Sequence, residues 1–304
     1  MATLTRWCIW LKMVLGKSNL HLNQPIGNYI SVNEIRGYYN DLSEKVTCDK
    51  KTEKIVEFTP VFTNDYGKKV IFPIQIIQYA LGCYELYLKT NNALYLNKAI
   101  YCTEKILTLV NEDGSISCMY FVKGLENPYS AMCQGECISL LFRLFKETND
   151  KRYYYAAIKV YDFLVDKENK LAVTKVFNGL DYCLFEYPEK EMVLNGYIFA
   201  LFGIYDAYLM TKREDIKKIF DISLSSLKSI INEFDCDGWS YYDLGNHYAS
   251  KFYHKLHIDL LSALNLLSNN LFDEYIEKWR QGINNKKLSR KMFWKKAKQK
   301  LKKQ

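Results

Sequence analysis

From Phe72 onward, apolar residues recur three and four positions apart, the spacing that lines one stripe of a helix. Between Pro73 and Leu88 they fall at 73/74, 77, 81, 84 and 88. The same period predicts helices over about 92–109, 130–146, 151–165, 192–210, 214–233, 255–267 and 270–283. Their boundaries recur as well. Thr90-Asn91-Asn92, Thr148-Asn149-Asp150, Thr211-Lys212-Arg213 and Ser268-Asn269-Asn270 each separate a longer apolar helix from a more polar one, at steps of 58, 63 and 57 residues. Two of the more polar helices run into Asp-Gly turns, Glu112-Asp113-Gly114-Ser115 and Cys236-Asp237-Gly238-Trp239, each leading to an alternating, aromatic, strand-like stretch.

The chain thus reads as a degenerate repeat of roughly 60 residues, an apolar inner helix paired with an amphipathic outer one. A helix apolar on most faces must be covered by neighbours. A ring of inner helices inside a ring of outer ones does this economically, so the expected fold is all-α, an α/α toroid of helical hairpins with short β-hairpin loops; an open solenoid is the alternative. Residues 1–65 read differently. His21 to Ile35 is polar with Asn, Pro and Gly, and Lys45 to Phe62 holds short alternating β-like runs. The expected organisation is a small irregular N-terminal arm over 1–65, the toroid over 66–283, and a basic tail over 284–304.

Composition narrows the class. The 304 residues are 49% hydrophobic and 25% charged, ordinary for a globular protein, and 5 Pro with 14 Gly are few for a sandwich or barrel. The net charge of +8 is local. Residues 281–304 carry ten basic side chains and no acid, so without them the other 280 residues stand at −2. Global charge therefore gives no argument for nucleic acid. In the tail, Leu288, Met292, Phe293, Ala297 and Leu301 recur at helical spacing between lysines, with Trp294 beside them, a pattern that suits an anionic membrane surface. The plainer alternative is a solvated lysine tail. The nine scattered cysteines include no CxxC pair, as expected of small buried residues in a reducing compartment. Lys12 interrupts the apolar Trp7-Cys8-Ile9-Trp10-Leu11 and no A-x-A-like site follows, so neither a cleaved signal nor a spanning helix is expected; the cytoplasm is the default.

Three of the four histidines, His247, His254 and His257, fall within eleven residues beside Tyr241, Tyr242, Asp243, Tyr248 and Tyr253. Zinc is one reading, weakened by the absence of HExxH spacing. Hydrogen-bonded histidines of a loop and helix start are another. The third is an aromatic-lined active site at the toroid mouth. A second cluster is Phe185-Glu186-Tyr187-Pro188, followed by Val193-Leu194-Asn195-Gly196-Tyr197, where an Asn-Gly pair opens a very apolar helix. It reads either as a cap with a close helix contact at Gly196 or as an amide with a task. The third cluster, Tyr129 to Glu136, places Gln134 and Glu136 among small residues on another inner helix. Among 25 tyrosines, most serve packing.

The chain resembles the C-terminal catalytic domain of the D-glucuronyl C5-epimerases. The matching stretches, in family order, are Pro73 to Tyr79, Tyr129 to Gly135, Glu186-Tyr187-Pro188, Val193 to Tyr197 with Gly203-Ile204-Tyr205-Asp206, Tyr242-Asp243-Leu244, and Tyr253-His254 with His257-Ile258. The resemblance implies an α/α toroid that converts glucuronate to iduronate within a polysaccharide, with Tyr187 (helped by Glu186), Tyr242 and Tyr253 as the catalytic groups. Gln75, Gln134, Asn195, His247, His254 and His257 are the expected substrate contacts. Where the family has Tyr-Asp-Leu-Arg-His, this chain has Tyr242-Asp243-Leu244-Gly245-Asn246 and then His247. The lost arginine would grip a uronate carboxylate through two hydrogen bonds. His247, Lys251 or Lys255 is then the expected source of positive charge.

Epimerisation at C5 removes a proton α to a carboxylate and returns one from the opposite face, which calls for two proton carriers and a donor-rich carboxylate pocket. A tyrosine serves as base only if nearby positive charge lowers its pKa, and His254 and His257 are close in sequence. No metal or nicotinamide is required, and no Gly-rich phosphate loop is visible. The expected partner is a glucuronate-containing polysaccharide. The alternatives are a polysaccharide lyase, a glycoside hydrolase using two of Glu136, Glu186 and Asp243, or a non-catalytic glycan-binding protein of capsule assembly.

Overall fold

The computed structural model describes residues 21–64 and 66–302. The apolar Trp7–Leu11 patch and Cys8 lie outside the described residues. Four helical hairpins make up most of the chain. They pair α2 (Pro73–Thr90) with α3 (Ala93–Leu107), α4 (Ala131–Thr148) with α5 (Lys151–Val165), α6 (Leu194–Thr211) with α7 (Glu214–Ile230), and α8 (Lys251–Asn265) with α9 (Asp273–Asn284). The inner helices pack in chain order, α2 on α4, α4 on α6 and α6 on α8. Helix α6 is buried nearly all round, from Leu194 to Ala207, as its run of apolar residues requires. Gly135 and Gly203 let α4 and α6 touch backbone to backbone: a Cβ on Gly203 would lie 2.4 Å from Gly135 Cα.

The recurring boundary residues do one physical job. Thr90, Thr148 and Thr211 each donate a side-chain hydrogen bond to the carbonyl four residues back. Asn91, Asn149 and Lys212 then turn left-handed, and their N–H groups close on Tyr87, Phe145 and Tyr208 at 2.8 Å. Asn92 and Asp150 cap the outer helix that follows. The fourth boundary is built differently. Asn265 accepts from Phe272 N–H and donates to Asp273, holding a wider turn before α9.

Three expectations change. Lys45 to Phe62 is not a set of strands. It holds α1 (Glu44–Thr47) and turns, and only Phe62–Thr63 (β1) pairs, with Lys69–Val70 (β2). Leu42 and Val46, four apart, pack on α2 at Gly82, where a Cβ would lie 2.4 Å from Leu42 O; helical spacing wins over local alternation. The Asp-Gly turns lead not into strands but into single bridges, Val110 to Ile116 and Asp235 to Ser240. A real hairpin instead joins Thr174–Phe177 (β3) to Leu180–Leu184 (β4) through Asn178-Gly179, both at positive φ. Finally, α8 begins four residues before the expected start, because Ser250 caps it by accepting from Tyr253 N–H.

The arm packs into the inner layer. Tyr38 and Tyr39 are buried, Tyr39 stacks on Phe202 at 4.2 Å, and its hydroxyl donates to Asp206 at 2.8 Å. Arg143 of α4 reaches Asp206 at 2.5 Å and the carbonyl of Gly37 at 2.9 Å, with neither ionic side chain more than 1% exposed. The basic tail forms α10 (Lys286–Lys302). Its apolar stripe is divided: Met292 and Ala297 are buried, whereas Phe293, Trp294 and Leu301 stay exposed. Gln299 holds the Tyr241–Tyr248 turn by donating to Asn246 O and accepting from Tyr248 N–H. No helix among the described residues is long and apolar enough to cross a membrane.

Candidate active site

The N-terminal ends of the inner helices and the arm meet at a cleft of about 200 Å³. Its walls are Gln75 and Gln78 from α2, Met132 from α4, Asn195 and Phe199 from α6, and Tyr253 and Leu256 from α8. Glu186 and Tyr187 enter from the loop after β4, Tyr242 from the turn before α8, and His21, Gln24 and Lys45 from the arm.

Local backbone pairing sets these groups. Phe185 N–H donates to Val173 O, and Ala131 N–H donates to Phe185 O, each at 2.9 Å, so the Glu186 loop is tied to the start of α4. Val193 and Asp243 form a bridge, with Leu194 N–H donating to Tyr242 O at 3.2 Å. Tyr242 is thereby fixed to the start of α6, and its ring meets Tyr253 edge-on at 4.8 Å. Gly196 leaves room for Glu186: a Cβ at 196 would lie 2.6 Å from both Cβ and Oε2 of Glu186.

The cleft also holds buried acceptor atoms that the described residues leave unused. Gln75 Oε1, Glu186 Oε2 and Asn195 Oδ1 are buried and find no hydrogen-bond partner among the described residues. Three buried acceptors on one cleft make a wall able to accept several hydrogen bonds. Glu136 lies behind Gln78, which donates to it at 2.9 Å.

Burial governs the electrostatics. It pushes the Glu186 carboxyl up to about 7, with Asp243 adding to the rise and Tyr187 opposing it by hydrogen bonding. Glu136 is pushed up to about 8 by burial, with Glu186 adding, while Gln78 and Lys45 pull it down. The hydroxyls of Tyr187, Tyr242 and Tyr253 are all raised, first by burial and then by Glu186. They are neutral donors at physiological pH.

Of the expected site residues, Tyr187, Tyr242, Tyr253, Glu186, Gln75 and Asn195 converge on the cleft. His247 stands on a neighbouring recess of about 340 Å³ with Asp243 and Lys300, separated from the cleft by Tyr187 and Tyr242, which line both. Its Nδ1 meets the Asp243 carboxylate at 2.7 Å. Gln134, His254 and His257 do not line the cleft. Gln134 is buried and donates to Gly114 O. His254 stacks on Trp239 at 3.9 Å; its Nδ1 accepts from Ser240 N–H, so Nε2 carries the proton and donates to Trp279 O. His257 shares the Ser240 hydroxyl at 2.8 Å. Burial lowers His254 to about 3 and His257 well below its usual value, so both are neutral and do not acidify a tyrosine.

The expected cations are also elsewhere. Lys251 and Lys255 line a larger apolar cavity of about 480 Å³ between Trp239, Phe252 and α10. Lys255 pairs with Asp259 at 2.6 Å. Lys45, which lines the cleft, escaped the sequence reading because it lies in the arm, far in sequence from the walls that α4, α6 and α8 supply. Gln78 was also missed; it sits one helical turn after Gln75, and that spacing was the available signal.

The chain is 27% identical over 237 residues to an uncharacterized protein of Methanocaldococcus jannaschii, covering 69% of this chain and 77% of that one. It is 27% identical over 153 residues to the D-glucuronyl C5-epimerase of Caenorhabditis elegans, covering 44% of this chain but only 25% of the nematode protein. A solved structure of similar fold is the unsaturated glucuronyl hydrolase from Streptococcus agalactiae, at a TM-score of 0.52 and 14% identity over 86% of this chain and 75% of that one. The family model of the D-glucuronyl C5-epimerase C-terminus matches residues 115–281, which takes in the Glu186 loop, Asn195, Tyr242 and Tyr253. That match spans more than half of the sequence, and the chain belongs to the D-glucuronyl C5-epimerase C-terminal family.

Proposed function

We propose that the protein is a carbohydrate epimerase that inverts C5 of D-glucuronate residues to L-iduronate within a polysaccharide. The observation that carries this reading is the convergence, on one cleft, of Glu186 with three neutral tyrosine hydroxyls and with amide acceptors that have no partner among the described residues. Glu186 titrates near neutrality, so it accepts a proton from C5 and can also return it. The electron pair of the broken C5–H bond passes into the enolate of the carboxylate. Tyr242 and Tyr253 deliver a proton to the opposite face, and solvent restores theirs. Raised hydroxyls hold their protons until a strong carbon base forms beside them. Gln75 and Asn195 receive sugar hydroxyls. The four hairpins serve as an arc of an α/α toroid, with the arm packed against its inner helices.

Incubation with glucuronate polymer in D2O tests the reading. The wild type should incorporate deuterium at C5, and Tyr253→Phe should lose this while remaining folded. Wild type that exchanges on no uronate polymer overturns it, and an unsaturated product absorbing in the near ultraviolet would mean a lyase. A hydrolase is less well served: Glu186 is the one carboxylate lining the cleft among the described residues, and Asp243 is engaged by His247. The exposed Phe293, Trp294 and Leu301 among the lysines of α10 support a peripheral contact with anionic membrane. Liposome binding that survives deletion of 284–304 would exclude that contact.

A further inference from the structure

Any uronate entering the cleft brings a carboxylate into a site that already holds Glu186, with Glu136 buried behind it. Removing C5–H then adds a second negative charge to the same group. Without a facing cation both states are strongly disfavoured in a partly dehydrated site. Among the described residues lining the cleft, two side chains can be cationic, His21 and Lys45. His21 is excluded: burial, with Lys45 and Lys300 adding, lowers it to about 4, so it is neutral under ordinary conditions. The position that would take an arginine, Gly245, is crowded; a Cβ there would lie 2.9 Å from Glu191 Cγ.

We propose that Lys45, presented by the arm, binds the carboxylate of the uronate undergoing reaction and neutralises it as the C5 proton leaves. The inference rests on the reading of the cleft as a uronate site. Helix α1 is held for this task. Leu42 and Val46 pack against α2, whose backbone they reach because position 82 is glycine. Asp41 accepts from Ser43 N–H at 2.8 Å and fixes the start of the turn. Lys45, between the two apolar anchors, lines the cleft with Gln75, Glu186 and Tyr253. Burial lowers its pKa to about 8, with Glu136 the largest opposing influence, so the ammonium persists at neutral pH.

The experiment compares Lys45→Met and Lys45→Arg with the wild type, using a glucuronate polymer and the same polymer with its carboxyls reduced to alcohols. Binding is read by calorimetry, and turnover as C5 deuterium incorporation. Lys45→Met should raise both Kd and KM for the uronate polymer about ten- to a hundredfold and lower kcat, the range for a lost charged hydrogen bond. Its affinity for the reduced polymer should match that of the wild type. Lys45→Arg should recover most of the affinity, which a purely structural role would not require. The wild type itself should bind the reduced polymer more weakly by a similar factor, a readout that needs no variant to fold. Exchange by the wild type together with unchanged Kd and KM in Lys45→Met overturns the role of Lys45 alone. No exchange and no uronate binding by the wild type overturns the cleft assignment and this inference with it.

Discussion

Gly196 and Glu186 pack so closely that one extra carbon at position 196 would lie 2.6 Å from the Glu186 carboxylate oxygen. The glycine opens α6, where alanine would favour the helix by about 1 kcal/mol. Gly196→Ala should therefore change thermal stability little while displacing Glu186. C5 exchange should fall at least about tenfold, as misplacement of a catalytic group by an ångström costs up to about a hundredfold. Deuterium exchange beside a melting curve checks both halves.

Replacing Glu186 by Gln removes the proton acceptor and keeps the shape. Exchange should drop by about 10²–10⁴-fold, the usual worth of a general base. Stability should rise slightly above pH 7, because an amide replaces a carboxylate that burial disfavours. Differential scanning calorimetry at pH 6 and pH 8 would show the rise only at the higher value.

Glu136 makes a pH prediction of definite sign. Its folded pKa, about 8, lies above the usual 4.5, so the folded state holds a proton that the unfolded state releases between those values. Its contribution is fully present below about 4.5 and is lost as pH rises through about 8. Glu136→Gln should flatten the decline in melting temperature between pH 6 and 8. An unchanged slope would contradict the assignment.

His254 and His257 should matter for stability and not for chemistry. His254→Leu strands the Ser240 amide and the Trp279 carbonyl, at about 1–3 kcal/mol per buried group left unsatisfied. The folded fraction should retain wild-type exchange. Loss of exchange with unchanged stability would return these histidines to the site.

Arg143 and Asp206 are a buried pair whose loss on one side should cost about 3–5 kcal/mol. Arg143→Met should be far more damaging than Arg143→Met combined with Asp206→Leu. Urea titration of the single and double variants measures the difference.

Most helices were legible because their stripes and boundary residues agree: Thr90, Thr148 and Thr211 mark ends that the backbone also marks. The Glu186 loop and Asn195 were legible because a polar group beside a fully apolar helix needs a reason. The histidines misled for a matching cause. Polar rings among tyrosines look like a site until Ser240 and the Trp279 carbonyl are seen to satisfy His254, Ser240 to engage Nδ1 of His257, and Trp239 to cover the pair's face at His254. Lys45 was invisible, since nothing in its own neighbourhood says that a single helical turn will be carried to the N-terminal ends of α2, α6 and α8.

Tyr39 and Asp206 are 167 residues apart in the chain, and Gly37 and Arg143 are 106 apart, yet these contacts hold the segment that bears Lys45. On the ribosome that segment precedes α6 by about 150 residues and must wait, uncovered, until α6 has emerged. Local hairpins can form as they appear, but the cleft closes only when the segment around Lys45 meets the later helices. Activity should therefore be the last property regained on refolding, after helix content is complete, and chains stalled before Asp206 should hold helices without a working site.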